Sequence, residues 1–220
     1  MALQPAVPEV RVRLVFLGAA GVGKTALIRQ FLHDSFEARH RRTVEELHVL
    51  ELELEPPPGP ALRLRLELLD TSGSYSFPAM RRLGIRHGAA FALVYSPHEP
   101  GSFEAVQRLR DEILEAKPGA PAPLVVVANK MDLGPSPAGT ARLAAMVQRE
   151  WGARHVEVSA KQGCNVVGLF QELLRQVDVL SSGRLSPALR RRSIPDPLAK
   201  EPPPPPSRRR PVKSPSCAIC

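Results

Sequence analysis

VRVRLVFLGAAGVGKT, residues 10–25, decides the fold. Its first part, VRVRLVFLG (10–18), is an apolar run that reads as a buried strand ending at a glycine turn. Its second part, GAAGVGKT (18–25), fits the pattern G-x-x-x-x-G-K-[ST]. Residues 24–34 then read as a helix. A loop of this kind turns backbone N–H groups toward a phosphate chain. Gly18, Ala19, Ala20, Gly21, Val22 and Gly23 form the cradle, and Ala26 follows in the helix. Lys24 is placed to reach the β- and γ-phosphates of a nucleotide, and the Thr25 hydroxyl suits Mg²⁺.

Outward from this loop, strand and helix patterns alternate. ELHVLELELE (46–55) and ALRLRLELLD (61–70) repeat apolar and charged residues at period two, and PPPGP between them cannot continue a strand. They predict a hairpin with a long, stiff loop. AAFALVYS (89–96) and APLVVVANK (122–130) are continuous apolar runs, as central parallel strands covered on both faces require. HVEVSA (155–160) is shorter. Helical patterns lie at 101–116, 138–150 and 165–180. The alternation predicts an α/β domain with a mostly parallel sheet, helices on both faces and one antiparallel edge hairpin. Ligands of such sheets bind outside the carboxyl ends of the strands.

Three further segments fall at such ends. LLDTSGSYSF (68–77) delivers Asp70 from a strand into a turn at Gly73, an arrangement suited to Mg²⁺ and a terminal phosphate. NKMD (129–132) closes the strand APLVVVANK. Asp132 can accept from guanine N1–H and N2–H₂, a donor pair that adenine lacks, so adenine would leave a carboxylate unpaired. Asn129 would brace the loop, and the Lys130 stem would cover the base. SAK (159–161: Ser159, Ala160, Lys161) follows the last strand, with the Ala160 N–H placed to meet guanine O6. Thr43 lies in the arginine-rich stretch HDSFEARHRRTVEE (33–46) and suits either the same Mg²⁺ or the surface ahead of an edge strand. Phe36 suits either the edge of the base or the core at the helix end. Cys164, before the last helix, is expected to be buried filler.

These elements stand in the order and spacing of a Ras-like small GTPase, and the resemblance covers residues 10–180. DTSGSYSFPAMRRL (70–83) and SFEAVQRLRDEI (102–113) look most like the dexamethasone-induced Ras-like branch, with the distinct-subgroup Ras proteins also near. The resemblance implies a P-loop NTPase G domain with six strands and five helices, binding GTP and GDP with Mg²⁺. It implies switch segments at 38–46 and 70–86 that effectors and regulators would read. Backbone N–H groups of Thr43 and Gly73 would hold the γ-phosphate. Thr25, Thr43 and Asp70 would hold Mg²⁺, and Lys24, Thr43, Gly73 and residue 74 would serve hydrolysis.

Three departures stand out. Ser74 replaces the glutamine that orients the attacking water. Ala20 replaces a glycine, and its methyl points toward the space an arginine finger needs. Arg39, Arg41 and Arg42 replace a segment that usually holds a tyrosine and a proline, which puts the usual Ras effectors in doubt. Slow hydrolysis is expected, although a switch arginine acting in cis stays open. Two readings remain: a GTPase that cycles slowly, and a nucleotide-holding interaction module at the membrane.

The chain has 220 residues, 43% hydrophobic, enough for one good core. The start, MALQPAVPEV, has no signal-peptide pattern, and position 2 is alanine, not the glycine that myristoylation needs. Residues 1–9 are expected to be a flexible N-terminus. Three cysteines make no disulfide framework. Residues 181–220 hold nine basic and two acidic side chains, hence +7, whereas residues 1–180 hold 21 and 20, hence +1. The neutral domain argues against nucleic acid, and a monomer is expected. The Pro-, Ser- and Arg-rich tail cannot bury enough apolar surface to order itself, and its prolines at 202–206 suit a spacer. It ends CAIC, which fits C-a-a-X with Cys217 as prenyl acceptor, while Cys220 leaves the choice of lipid open. Arg208, Arg209, Arg210 and Lys213 supply a second, electrostatic signal for an anionic leaflet. The cytoplasmic face of the plasma membrane is the expected location. RRRSI (190–194) places Ser193 behind three arginines, the pattern basophilic kinases favour.

Overall fold

The computed structural model describes residues 9–37, 43, 45–54, 62–73, 78–119, 122–134, 139–178 and 192–193. Ser74, the switch arginines, the proline loop of the hairpin, the N-terminus, Cys217 and the basic tail beyond Ser193 lie outside the described residues. In chain order the elements are β1 (Glu9–Leu17), α1 (Lys24–His33), β2 (Glu46–Leu54), β3 (Leu62–Asp70), α2 (Pro78–His87), β4 (Ala90–Tyr95) and α3 (Ser102–Ala116). There follow β5 (Leu124–Ala128), a 3₁₀ turn (Met131–Leu133), α4 (Thr140–Trp151), β6 (Arg154–Glu157), α5 (Val166–Gln176) and β7 (Arg192–Ser193).

The strands form one sheet in the order β6-β5-β4-β1-β3-β2-β7. β1, β3, β4, β5 and β6 run parallel, and β2 returns antiparallel to β3 as the edge hairpin. Every residue of β4 is buried, which is why its sequence carries no polar alternation. One core lies under α1 and α5, where Leu27, Ile28 and Phe31 meet Leu169, Phe170 and Leu173. Phe31 stacks on Phe170 with ring centroids 3.6 Å apart. The other core lies under α2, α3 and α4, with Ile85, Val106, Ile113 and Val147. The molecule is the α/β G-type domain expected, with the six strands expected. β7 is the addition: two tail residues that pair antiparallel with β2.

α2 completes the five helices that the resemblance implies, and one local expectation, at Cys164, needs correction. α2 is absent from the apolar pattern because only Gly84 and Ile85 of it are buried; Arg81 fastens it instead, by a forked hydrogen bond to Glu112 of α3 at 2.9 and 3.1 Å. Cys164 is exposed rather than buried filler. Its backbone exchanges both hydrogen bonds with Ser159 (3.0 and 3.1 Å), which fixes the turn at 160–163 and leaves the thiol at the surface.

Candidate nucleotide site

The loops after β1, β3, β5 and β6 gather at the carboxyl end of the sheet, at the point where β1 has β3 on one side and β4 on the other. The loop after β1 enters α1 through Gly23, whose φ of 98° is left-handed. A Cβ there would also stand 2.3 Å from Asn129 Nδ2, so only glycine fits. Among the described residues no side chain caps α1, and its first turn holds no acid. Its first N–H groups and the positive end of its dipole therefore suit an anion.

Lys24 is buried, and its ammonium donates to the carbonyls of Gly18 and Ala19, both at 2.9 Å. Burial pulls its pKa down to about 8, against the pull of nearby Asp70. An anionic partner would raise it again.

Thr25, at the start of α1, touches two other elements. Its hydroxyl donates to Asp70 Oδ2 at 2.6 Å, and it shares a hydrogen bond with the Thr43 hydroxyl at 2.7 Å. The three groups expected at the metal therefore converge although they lie far apart in sequence. Asp70 Oδ1 is buried and finds no hydrogen-bond partner among the described residues. Desolvation pushes the Asp70 carboxyl up, opposed by Thr25, Lys24 and His48. An unpaired buried carboxylate oxygen beside two hydroxyls is a hard, oxygen-only donor set. The residues fit Mg²⁺.

Gly73 lies directly on the first loop: a Cβ there would stand 2.3 Å from Ala20 N and 2.4 Å from Ala20 Cα. Gly73 and the exposed Ala20 therefore meet at the rim where a γ-phosphate would sit. Phe36 is 40% exposed, so it is no core residue at the end of α1.

At the other end, Asn129 ties three loops together. Its Nδ2 donates to Val22 O at 2.9 Å, and its Oδ1 accepts from Ala160 N–H at 3.1 Å. The Ala160 N–H expected at guanine O6 is thus engaged by Asn129. Asp132 Oδ1 accepts from the Ser159 hydroxyl at 2.7 Å, and Lys161 stands 3.8 Å from its other oxygen. Lys130, in left-handed backbone, pairs with Glu99 at 3.0 Å. Reading the sequence missed Glu99 and the Ser159 hold on Asp132. No local signal carries them, because both pairs cross between loops remote in the chain.

Residues 13–179 match the Ras family model. The chain is 35% identical over 190 residues to the GTP-binding protein Rhes of Homo sapiens, covering 82% of this chain and 69% of that protein. A Ras-type sheet, a nucleotide cradle in the expected loop and this match over most of the chain lead to one conclusion: the protein belongs to the Ras family, small GTPases that bind and hydrolyse GTP.

Proposed function

We propose that this protein is a Mg²⁺-dependent, lipid-anchored GTP switch whose intrinsic hydrolysis is slow. One observation carries the metal reading: the Thr25 hydroxyl joins Thr43 to Asp70, one of whose oxygens has no partner among the described residues. Thr25, Thr43 and Asp70 would hold the ion. When bound, Mg²⁺ would neutralise charge on the β- and γ-phosphates.

The protein's own groups do the rest. Lys24 would exchange the Gly18 and Ala19 carbonyls for phosphate oxygens. The uncapped N–H groups of α1 would point at the phosphate chain. Gly73 and Thr43 would hold the γ-phosphate through their N–H groups, so its loss frees both switch segments, 38–46 and 70–86. Asp132 would select guanine. Ser74 lacks the amide that orients water, and Ala20 narrows the entry for a partner's arginine, a contribution worth about 10³–10⁵ in rate elsewhere.

Single-turnover hydrolysis of GTP by the full chain with Mg²⁺, beside Ser74→Gln, tests this reading. Slow turnover that the glutamine speeds supports it. Ordinary Ras-like turnover in the unsubstituted chain overturns it and directs attention to the switch arginines.

Anchoring rests on the chain end. Prenylation at Cys217 gives only marginal membrane affinity by itself. Four basic residues nearby add about 1 kcal/mol each at an anionic leaflet. Beyond β7, the 24 residues from Ile194 to Cys217 would span roughly 24–29 Å as a coil, so the domain would ride off the cytoplasmic face. Cys217→Ser moves the protein from the membrane to the soluble fraction on this reading.

A further inference from the structure

We propose that the open edge of β2 is a docking surface for this chain's own tail, and that the occupant is the segment around Arg192–Ser193. β2 is held by β3 on one side. On its other side β7 runs antiparallel, with Leu50 opposite Ser193 and Glu51 opposite Arg192. An edge strand offers a row of unpaired N–H and C=O groups, and proteins commonly protect such a row with lysine, proline or a covering segment. β2, ELHVLELEL, has neither lysine nor proline. It carries Glu46, Glu51 and Glu53 instead. In the sequence, Arg184, Arg190 and Arg191 come shortly before Arg192. Acidic edge and basic tail are complementary in charge.

The register gives this complementarity a place. Glu51 already meets Arg65 of β3 at 3.5 Å, and Arg192 is its register partner on the other side. Opposite charges directly across a strand pair stabilise it, and like charges oppose it. Length permits the connection: the 13 residues 179–191 reach up to about 50 Å when extended. A strand seated here closes the edge of β2, so any partner adding a strand at that edge must first displace the tail. Ser193, behind its three arginines, then becomes a release point. Negative charge there would be set against an acidic strand.

The test is single-residue amide exchange by NMR on the full chain loaded with GDP and Mg²⁺. In the unsubstituted protein the outward amides of residues 49–52 are expected to be protected. The double substitution Arg192→Pro, Ser193→Pro removes both tail donors and stops strand pairing. It should speed exchange of those amides at least tenfold and leave β1, β3 and nucleotide affinity unchanged. Ser193→Glu should act in the same direction, less strongly. Glu51→Arg should also speed exchange, and Glu51→Arg with Arg192→Glu should restore protection. Equal protection in the proline variant and the unsubstituted chain overturns the proposal. So does a charge-swapped double that exchanges as fast as the single. Protection that fades on dilution overturns it as well, because a second copy would then be the occupant.

Discussion

At the base end of the site, Asn129 holds both Val22 and Ala160, and Ser159 holds Asp132, so the loops there are fixed to one another by side chains. At the phosphate end, Lys24 bonds carbonyls of its own loop, and Thr25 bonds Thr43 and Asp70. At the base end the Asn129–Val22 and Ser159–Asp132 bonds can stay in place when a nucleotide binds, and only the Ala160 N–H, now on Asn129, would change partner to meet guanine O6. The phosphate end is joined by the very groups that a triphosphate and its ion would engage, so binding there is an exchange of partners. Specificity thus rests on rigid parts, while the switch rests on parts whose bonds are replaceable.

The largest break of this contrast is Asp132→Ala. It should weaken GTP and GDP by the same large factor, about 10³–10⁵, and abolish the preference over adenine nucleotides. Equilibrium titration with both base types measures it. Unequal loss for GTP and GDP would show that the two ends are not separate.

Lys24→Met comes next. It should weaken nucleotide binding by about 10–100-fold, from hydrogen bonds to charged groups. The nucleotide-free protein should be no less stable, because the buried ammonium is disfavoured there by desolvation. Thermal melts with and without GDP separate the two effects.

Gly73→Ala should be milder. Its methyl would collide with Ala20, lift the turn off the first loop and cost about tenfold in GTP affinity while sparing GDP. Competition between the two nucleotides reads it directly.

The smallest effect lies outside both ends. His155 Nε2 meets the Tyr95 hydroxyl at 2.9 Å, and burial holds its pKa below the usual 6.5. The unfolded chain then takes up a proton first, so stability should fall as pH drops below about 6.5. His155→Phe should flatten that slope in denaturant titrations across pH.

Much of this was legible in the sequence for a physical reason. Parallel central strands are buried on both faces, so β1, β4 and β5 appear as apolar runs. The phosphate loop needs particular residue types at fixed spacing. What escaped reading was what depends on remote partners. α2 buries too little to show a helical stripe; Met80 and Leu83 of it are half exposed. β7 is two residues of polar tail, and only the edge of β2 gives it a reason to be a strand. The loop ties of Ser159 and Glu99 join segments whose nearness is a product of the fold. Cys164 misled because residue type speaks to average burial, whereas a turn decides where one side chain points.

The alternation in β2 and β3 also bears on how the chain finds its register while folding. Leu50, Leu52, Leu64 and Leu66 form so regular a row that sliding one strand by two residues still sets leucine against leucine. The charged row reduces that ambiguity. In the native register Glu51 is opposite Arg65, Glu53 is opposite Arg63 and Val49 is opposite Glu67. A slip of two in one direction sets Glu51 against Glu67. A slip in the other sets Leu47 against Glu67 and leaves Arg65 opposite Val49. The Arg13–Glu67 bond at 2.6–2.8 Å joins β3 to β1 and so fixes the row against which β2 must choose. The apolar residues give the hairpin its reason to form, and the charges decide which of several nearly equal hairpins persists. Neutralising Arg65 and Glu67 together would therefore show itself first as slow, heterogeneous refolding, and only later as lost stability.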